Sequence, residues 1–409
     1  MKAPFVVMLA LTCAGCTVSE VITAEKTPLE VASLKIDESL LLDVGILNFD
    51  AGIPESNDAD ETGIYPEVRQ AEARYLPYHL KTTMQGTGFW GAVRVIPSES
   101  VFTDVIVSGV IERSDGEFVK LRVKARDARG QHWFERTYSM QTGITSYSEN
   151  RDLSTDPYQK VFNEIANDLR AHAASLSADE IRRIRNISEM QFFADMAPTV
   201  FGDYITEKDG ITSLVRLPAE NDPMVQRLRQ IRARDQLVID TLNEHYANFY
   251  YGIAIPYESW RETAREQAVN YRQVKRAATL RALLGVVVVA GSMSIDTSSS
   301  SRSAARAKSA ARYVGVNRGI GTIISAWNLR QTADIHRENI KELSESFGAE
   351  AAPLVVRVEG ETRRLTGTAE AQYETWRKLL KEIYQAETGF AHTLDVGVDG
   401  RAQQQGPQD

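Results

Sequence analysis

The side chains able to do chemistry are few and widely spaced. Cys13 and Cys16 are the only cysteines, and six histidines stand at His79, His132, His172, His245, His336 and His392. None of these histidines has a second histidine and a glutamate at the spacing of a helical zinc site. His245 and His336 fall on apolar helix faces, where an imidazole reads as a core or edge residue. The acidic loop Asp58, Asp60, Glu61 lacks the ligand order and central glycine that a calcium loop needs. Gly86-Thr87-Gly88 follows a predicted helix and precedes a predicted strand, the reverse of a dinucleotide-binding turn. Gly315–Gly321 has no Lys-Ser/Thr of a phosphate loop, and no Gly-x-Ser-x-Gly elbow occurs. These features predict a chain without catalytic residues, metal or cofactor. The reactive position that remains is Cys16, preceded by the small residues Ala14 and Gly15. A second candidate is the aromatic group Tyr246, Phe249, Tyr250, Tyr251, Tyr257 and Trp260. Such rings stack on sugars or anchor protein partners, or else plug a turn between two long helices.

The segment before Cys16 gives the thiol its context. Lys2 supplies a basic start and Phe5–Leu11 is an unbroken apolar run. That run is too short for a bilayer core of ~30 Å, which takes ~20 apolar residues. With Ala14-Gly15-Cys16 it resembles a bacterial lipoprotein signal, although Cys13 stands where that family usually has leucine. The resemblance implies removal of residues 1–15, fatty acylation (diacylglycerol and palmitate) of Cys16, and a lipidated tether over residues 16–37. Thr17 and Val18 lack the aspartate that resembles an inner-membrane retention signal, which implies the periplasmic side of the outer membrane. Acyl chains contribute ~0.8 kcal/mol per buried CH₂, and more than one is needed for stable anchoring. The implied partner is the lipid bilayer. Cleavage before Cys16 would leave no free thiol and no thiolate metal site.

Composition bounds the rest. The chain has 409 residues, of which 43% are hydrophobic and 25% charged, enough for a real core in two or three domains. Its net charge of −8 argues against nucleic acid as a partner.

Pattern and punctuation predict an α+β protein. An N-terminal α/β module over residues 38–175 carries the order β-α-β-β-β-β-α. Its strands are Leu40–Phe49, Ala92–Ile96, Asp104–Glu112, Phe118–Ala125 and His132–Met140, with helix Glu67–Gln85 opened by Pro66. The turns Ser114-Asp115-Gly116 and Asp127–Gly130 join the last three strands. Asp156-Pro157 is read as the N-cap and first residue of a helix reaching Ala174.

A helical module over residues 176–348 follows. Ser177 and Glu180 form a capping box, and Asp222-Pro223 starts a long helix. Met224, Leu228, Ile231, Val238, Leu242 and Phe249 form its apolar stripe, on which Asp235 and His245 also fall. A separate helix is predicted from Trp260 to Ala278, and Leu329–Phe347 repeats a similar rhythm. Together they predict antiparallel, coiled-coil-like packing. Between them lies a small-residue apolar hairpin, residues 282–327, with Gly285, Gly291, Gly315, Gly319 and Gly321. Small residues allow close helix pairing in lipid or in a tight core, and Val286–Val289 also has the composition of a strand. Residues 349–389 predict a β-hairpin (Leu354–Val358, Thr362–Leu365) and a helix capped by Thr368. Residues 390–409 read as a disordered tail.

The strand ending Asn48-Phe49-Asp50, the stretch Trp90–Pro97, the run Asp104–Ile111 and the hairpin Asp127–Trp133 resemble a periplasmic α/β fold. That fold is shared by the TolB amino-terminal domain, the curli secretion channel lipoprotein and the penicillin-binding-protein activator lipoproteins. The resemblance implies a non-enzymatic envelope assembly or scaffold factor acting through an envelope protein partner or self-association. It also leaves open an oligomeric secretion or pore component that inserts residues 282–327, or a peptidoglycan-synthase activator.

Overall fold

The structure is a computed structural model. It describes residues 27–54, 64–148, 155–219, 221–292, 354–358 and 361–388, together with 338, 341, 342 and 345. Residues 1–15, Cys16, the acidic loop Asp58–Glu61, Gly315, Gly319, Gly321, His336 and residues 390–409 lie outside those described.

Besides short 3-10 turns, fifteen helices and strands occur among the described residues. They are β1 (Val44–Leu47), α1 (Pro66–Gln85), β2 (Val93–Ile96), β3 (Val105–Ser114), β4 (Phe118–Asp127), β5 (His132–Gln141) and α2 (Gln159–Ser175). These are followed by α3 (Ala178–Met196), α4 (Pro198–Phe201), β6 (Ile205–Lys208), β7 (Ile211–Leu214) and α5 (Pro223–Ser292). The last are β8 (Leu354–Val358), β9 (Glu361–Leu365) and α6 (Ala369–Thr388). The fold is α+β.

The main sheet runs β2-β1-β3-β4-β5. Central β1 is parallel to both neighbours, with Ile46 opposite Val95 and Val107, and β3-β4-β5 is an antiparallel meander. In β4 the residues Val119, Leu121, Val123 and Ala125 are buried, while Lys120, Arg122 and Lys124 alternate to the other face. Those cations join Glu112 and Glu135 in a ladder at 2.8–3.3 Å. One sheet face is therefore apolar, and the opposite face carries cross-strand ion pairs. A single cluster of buried apolar side chains continues from this sheet through α5 into α6.

Two sequence expectations are corrected, and one hairpin is added. The helix expected from Asp156-Pro157 begins later, at Gln159 with Tyr158 at its N-cap. Asp156 instead accepts a hydrogen bond from Tyr158 N (2.7 Å) and turns its carboxylate toward α5. The two helices expected on either side of an aromatic turn are one helix, α5, of 70 residues. At ~1.5 Å per residue it is about 105 Å long. It passes through the aromatic group and through Pro256 without a break, and continues over residues 282–292. Val286–Val289 are accordingly helical, and a barrel strand there is excluded. A proline inside a helix costs ~3 kcal/mol. Burial of Ile253, Tyr257 and Trp260 around it, at ~1.5–3 kcal/mol for each large apolar side chain, outweighs that.

The added element is the hairpin β6–β7. Asp209 (φ 54°) and Gly210 (φ 76°) both adopt left-handed backbone at its turn, the conformation of a two-residue type I′ loop. The remaining cap assignments match their sequence signals. Glu180 N donates to Ser177 Oγ (3.3 Å) and Ser177 N donates to Glu180 Oε2 (2.8 Å). Met224 N donates to Asp222 Oδ1 (2.8 Å), and Ala371 N donates to Thr368 Oγ1 (3.2 Å).

Candidate functional site

Where α5 crosses α1 and the β3–β4 turn, the protein buries an unusual number of ionisable groups. Glu72 on α1, Tyr257 and Arg261 on α5, and Tyr158 before α2 are each at most 1% exposed. Such groups persist in a core only when they answer one another.

Arg261 and Asp156 meet as a two-pronged pair. Nη1 donates to Oδ1 (2.9 Å) and Nη2 to Oδ2 (2.8 Å). The guanidinium also lies against the rings of Tyr257 (4.3 Å) and Tyr158 (4.9 Å), which suits a weakly hydrated planar cation. Burial pushes the Asp156 carboxyl up, but the Arg261 charge and the adjoining hydrogen bonds hold it well below the usual carboxylate range. Glu72 is different. Its Oε1 accepts from Tyr257 OH (2.6 Å) and from Ser114 Oγ, and its nearest cation is Arg69 at 3.8 Å. Burial therefore prevails and raises its pKa, with Arg69 opposing.

His79 extends the seam along α1. Gln159 Oε1 accepts from Nε2 (2.9 Å), so in the neutral ring Nδ1 accepts from Tyr250 OH (2.7 Å). Gln159 is oriented by its own amide, which donates to Thr83 Oγ1 and Asn163 Oδ1. Burial lowers the His79 pKa, and Asp156 opposes the shift. Tyr250 stacks on Tyr75 at 4.5 Å, and burial pushes its phenol up to about 12.

The β3–β4 turn closes the seam. Gly116 has φ +78°, and a Cβ there would stand 2.1 Å from the carbonyl oxygen of Arg261. Its amide donates to Tyr158 OH (3.1 Å), and its carbonyl accepts from Tyr147 OH (2.9 Å). With α5 seated, Glu72, Tyr257 and Arg261 are closed to solvent. The arrangement acts chemically as a latch on a helix.

A second latch holds α6 to α5. Asp235 accepts from Trp376 Nε1 (3.0 Å) and Tyr373 OH (3.3 Å), with Arg377 at 3.6 Å. Arg377 also pairs with Asp195 on α3, which Lys381 joins at 2.9 Å. Asn48, just past β1, donates to Tyr246 OH and Glu370 Oε1, both at 3.1 Å, and so ties α5, α6 and the sheet together.

The aromatic group expected from sequence is thus divided. Tyr246, Phe249, Tyr257 and Trp260 are buried and Tyr250 is half-buried, all along α5 and with no turn to plug. Tyr251 is 67% exposed, as is the neighbouring Ile255 at 79%. Gly285 and Gly291 lie in the last turns of α5. Glu72, His79, Asp156 and Arg261 were not among the predicted site residues. Asp235 gave a signal, a carboxylate on an apolar helical stripe, and Arg261 gave a similar one directly after Trp260.

Among the described residues, no group of three or more His, Cys, Asp or Glu side chains is placed to hold a metal ion. Among the same residues, no helix is long and apolar enough to cross a membrane. No family model matches the chain, and comparison with curated proteins and with solved structures likewise gave no match.

Proposed function

We propose that this protein is a non-enzymatic scaffold of the cell envelope, held by acylated Cys16 to the periplasmic face of the outer membrane. In this reading residues 38–175 form the α/β module that docks a partner protein or a second copy, and α5 is the arm that extends from it. The observation that carries the reading is how α5 is used. Its buried face from Val225 to Ala264 is latched to the sheet, α1 and α6, and the same helix runs on without interruption to Ser292. A rod rooted in a rigid body is a means of setting distance between two attachments.

The test is envelope fractionation with a high-salt wash, joined to mass measurement in detergent. Wild type stays with the membranes and gains the mass of its acyl chains, whereas Cys16→Ser is released. Retention of Cys16→Ser after washing would sink the anchor. A ring-sized assembly would favour a secretion or pore component. Co-purification of a monomer with a peptidoglycan synthase would favour an activator.

A further inference from the structure

Between the last turns of α1, the strand β2 and the midsection of α5 lies an open cleft of about 340 Å³. That is the lower end of the volumes, ~300–1,000 Å³, that take small molecules. Its floor is chemically closed. Asn243 Oδ1 accepts from Val95 N (2.9 Å), and Nδ2 donates to Val95 O (2.8 Å) and Ile239 O (2.9 Å).

The rim is not closed. On α1, Tyr78, Lys81 and Gln85 share one face at i, i+3 and i+7. The Lys81 ammonium lies 4.7 Å from the Tyr78 ring centroid. Among the described residues it has no ion pair and no hydrogen bond, and the same holds for the Tyr78 hydroxyl, the Gln85 amide and the Glu244 carboxylate. Burial disfavours the charged ammonium and lowers the Lys81 pKa, with Asp240 opposing. Arg94 Nε and Nη2 grip Asp240 at 2.6 and 3.1 Å, leaving Nη1 over. The lining therefore presents two cations, Lys81 and Arg94, and two anions, Asp240 and Glu244. A polyanion would meet as much repulsion as attraction there, whereas a ligand carrying one charge of each sign answers both.

We propose that this cleft binds a small zwitterion, a free amino acid or a short peptide, with its carboxylate on Lys81, its ammonium on Glu244 and its body against Tyr78. The site stands apart from the scaffold reading and does not depend on acylation of Cys16.

The test uses the full chain in detergent at neutral pH, titrated calorimetrically with alanine, dialanine and trialanine, and with the carboxamide of each. At least one of the three zwitterions saturates the protein, and the one that binds tightest tells free amino acid from peptide. Converting the carboxylate of the tightest ligand to its amide weakens binding at least tenfold. Lys81→Met, a half-buried rim position, does the same without loss of helical signal, and Glu244→Gln weakens the free-amine ligands. The proposal is overturned if no zwitterion saturates, or if the amide binds as well as the acid. It also fails if Lys81→Met leaves affinity unchanged. Cys16→Ser protein binds normally, so a failed anchor and a failed site give different results.

Discussion

Removing the charge of Asp156 is the sharpest probe of how α5 is held. Asp156→Asn keeps an acceptor for Tyr158 N but leaves the Arg261 guanidinium, 1% exposed, without its anion. Breaking a buried pair from one side costs about 3–5 kcal/mol, since the remaining charge stays desolvated. An exposed pair would cost less than ~1 kcal/mol. Urea unfolding, extrapolated linearly to water, separates the two cases well beyond its error. The double variant Asp156→Asn/Arg261→Met removes both charges and is expected to recover at least half of the loss, because apolar replacement of a whole pair is often near neutral. A single-variant loss under ~1 kcal/mol would refute the latch, as would a double variant whose cost is simply the sum of its parts.

Three further outcomes follow from the same contacts. Asn243→Ala strips both hydrogen bonds from Val95 on the outer side of β2, at about 2–3 kcal/mol; hydrogen exchange should show faster exchange of the Val95 amide, and unchanged protection would contradict the assignment. Gly116→Ala places a methyl group 2.1 Å from the Arg261 carbonyl at a positive φ, so a loss above ~2 kcal/mol is expected in the same urea assay. For His79, the folded pKa lies below the ordinary 6.5, so the unfolded chain binds the proton more readily. Stability is therefore fully present above pH 6.5 and falls as pH drops toward the folded pKa, by at most about 1.4 kcal/mol per pH unit for this ring. His172 and His245 shift in the same direction, so the melting temperature of His79→Gln should have a shallower pH dependence between 7.5 and 5 than wild type, and parallel curves would refute the assignment.

Where local residues decide the structure, the sequence was informative. The Asp115-Gly116 and Asp127–Gly130 turns, the alternation in Phe118–Ala125 and the Ser177/Glu180 box lie in elements whose ends agree with the structure to within two or three residues. The β6–β7 turn is equally legible, since Asp209-Gly210 between Ile-Thr pairs is a hairpin signal. What local pattern misled was α5. The crowded rings from Tyr246 to Trp260 read as a turn between two helices, but burial against α1 and the sheet keeps one helix whole through Pro256. The latch and the cleft were illegible for a different reason. Glu72 meets Tyr257, and Lys81 shares a rim with Glu244, across separations that no spacing rule spans.

The unbroken run of α5 from Arg265 to Ser292 also fixes direction. Each residue of an α-helix advances the chain by about 1.5 Å and turns it by about 100°. Deleting one residue there would swing the end of the helix at Ser292 by about 100° around the axis. Deleting seven would draw it in by about 10 Å yet leave its azimuth within about 20°. In the scaffold reading the helix, its base clamped by Arg261, is a protractor as well as a ruler, with the bearing of its far end written into residue count.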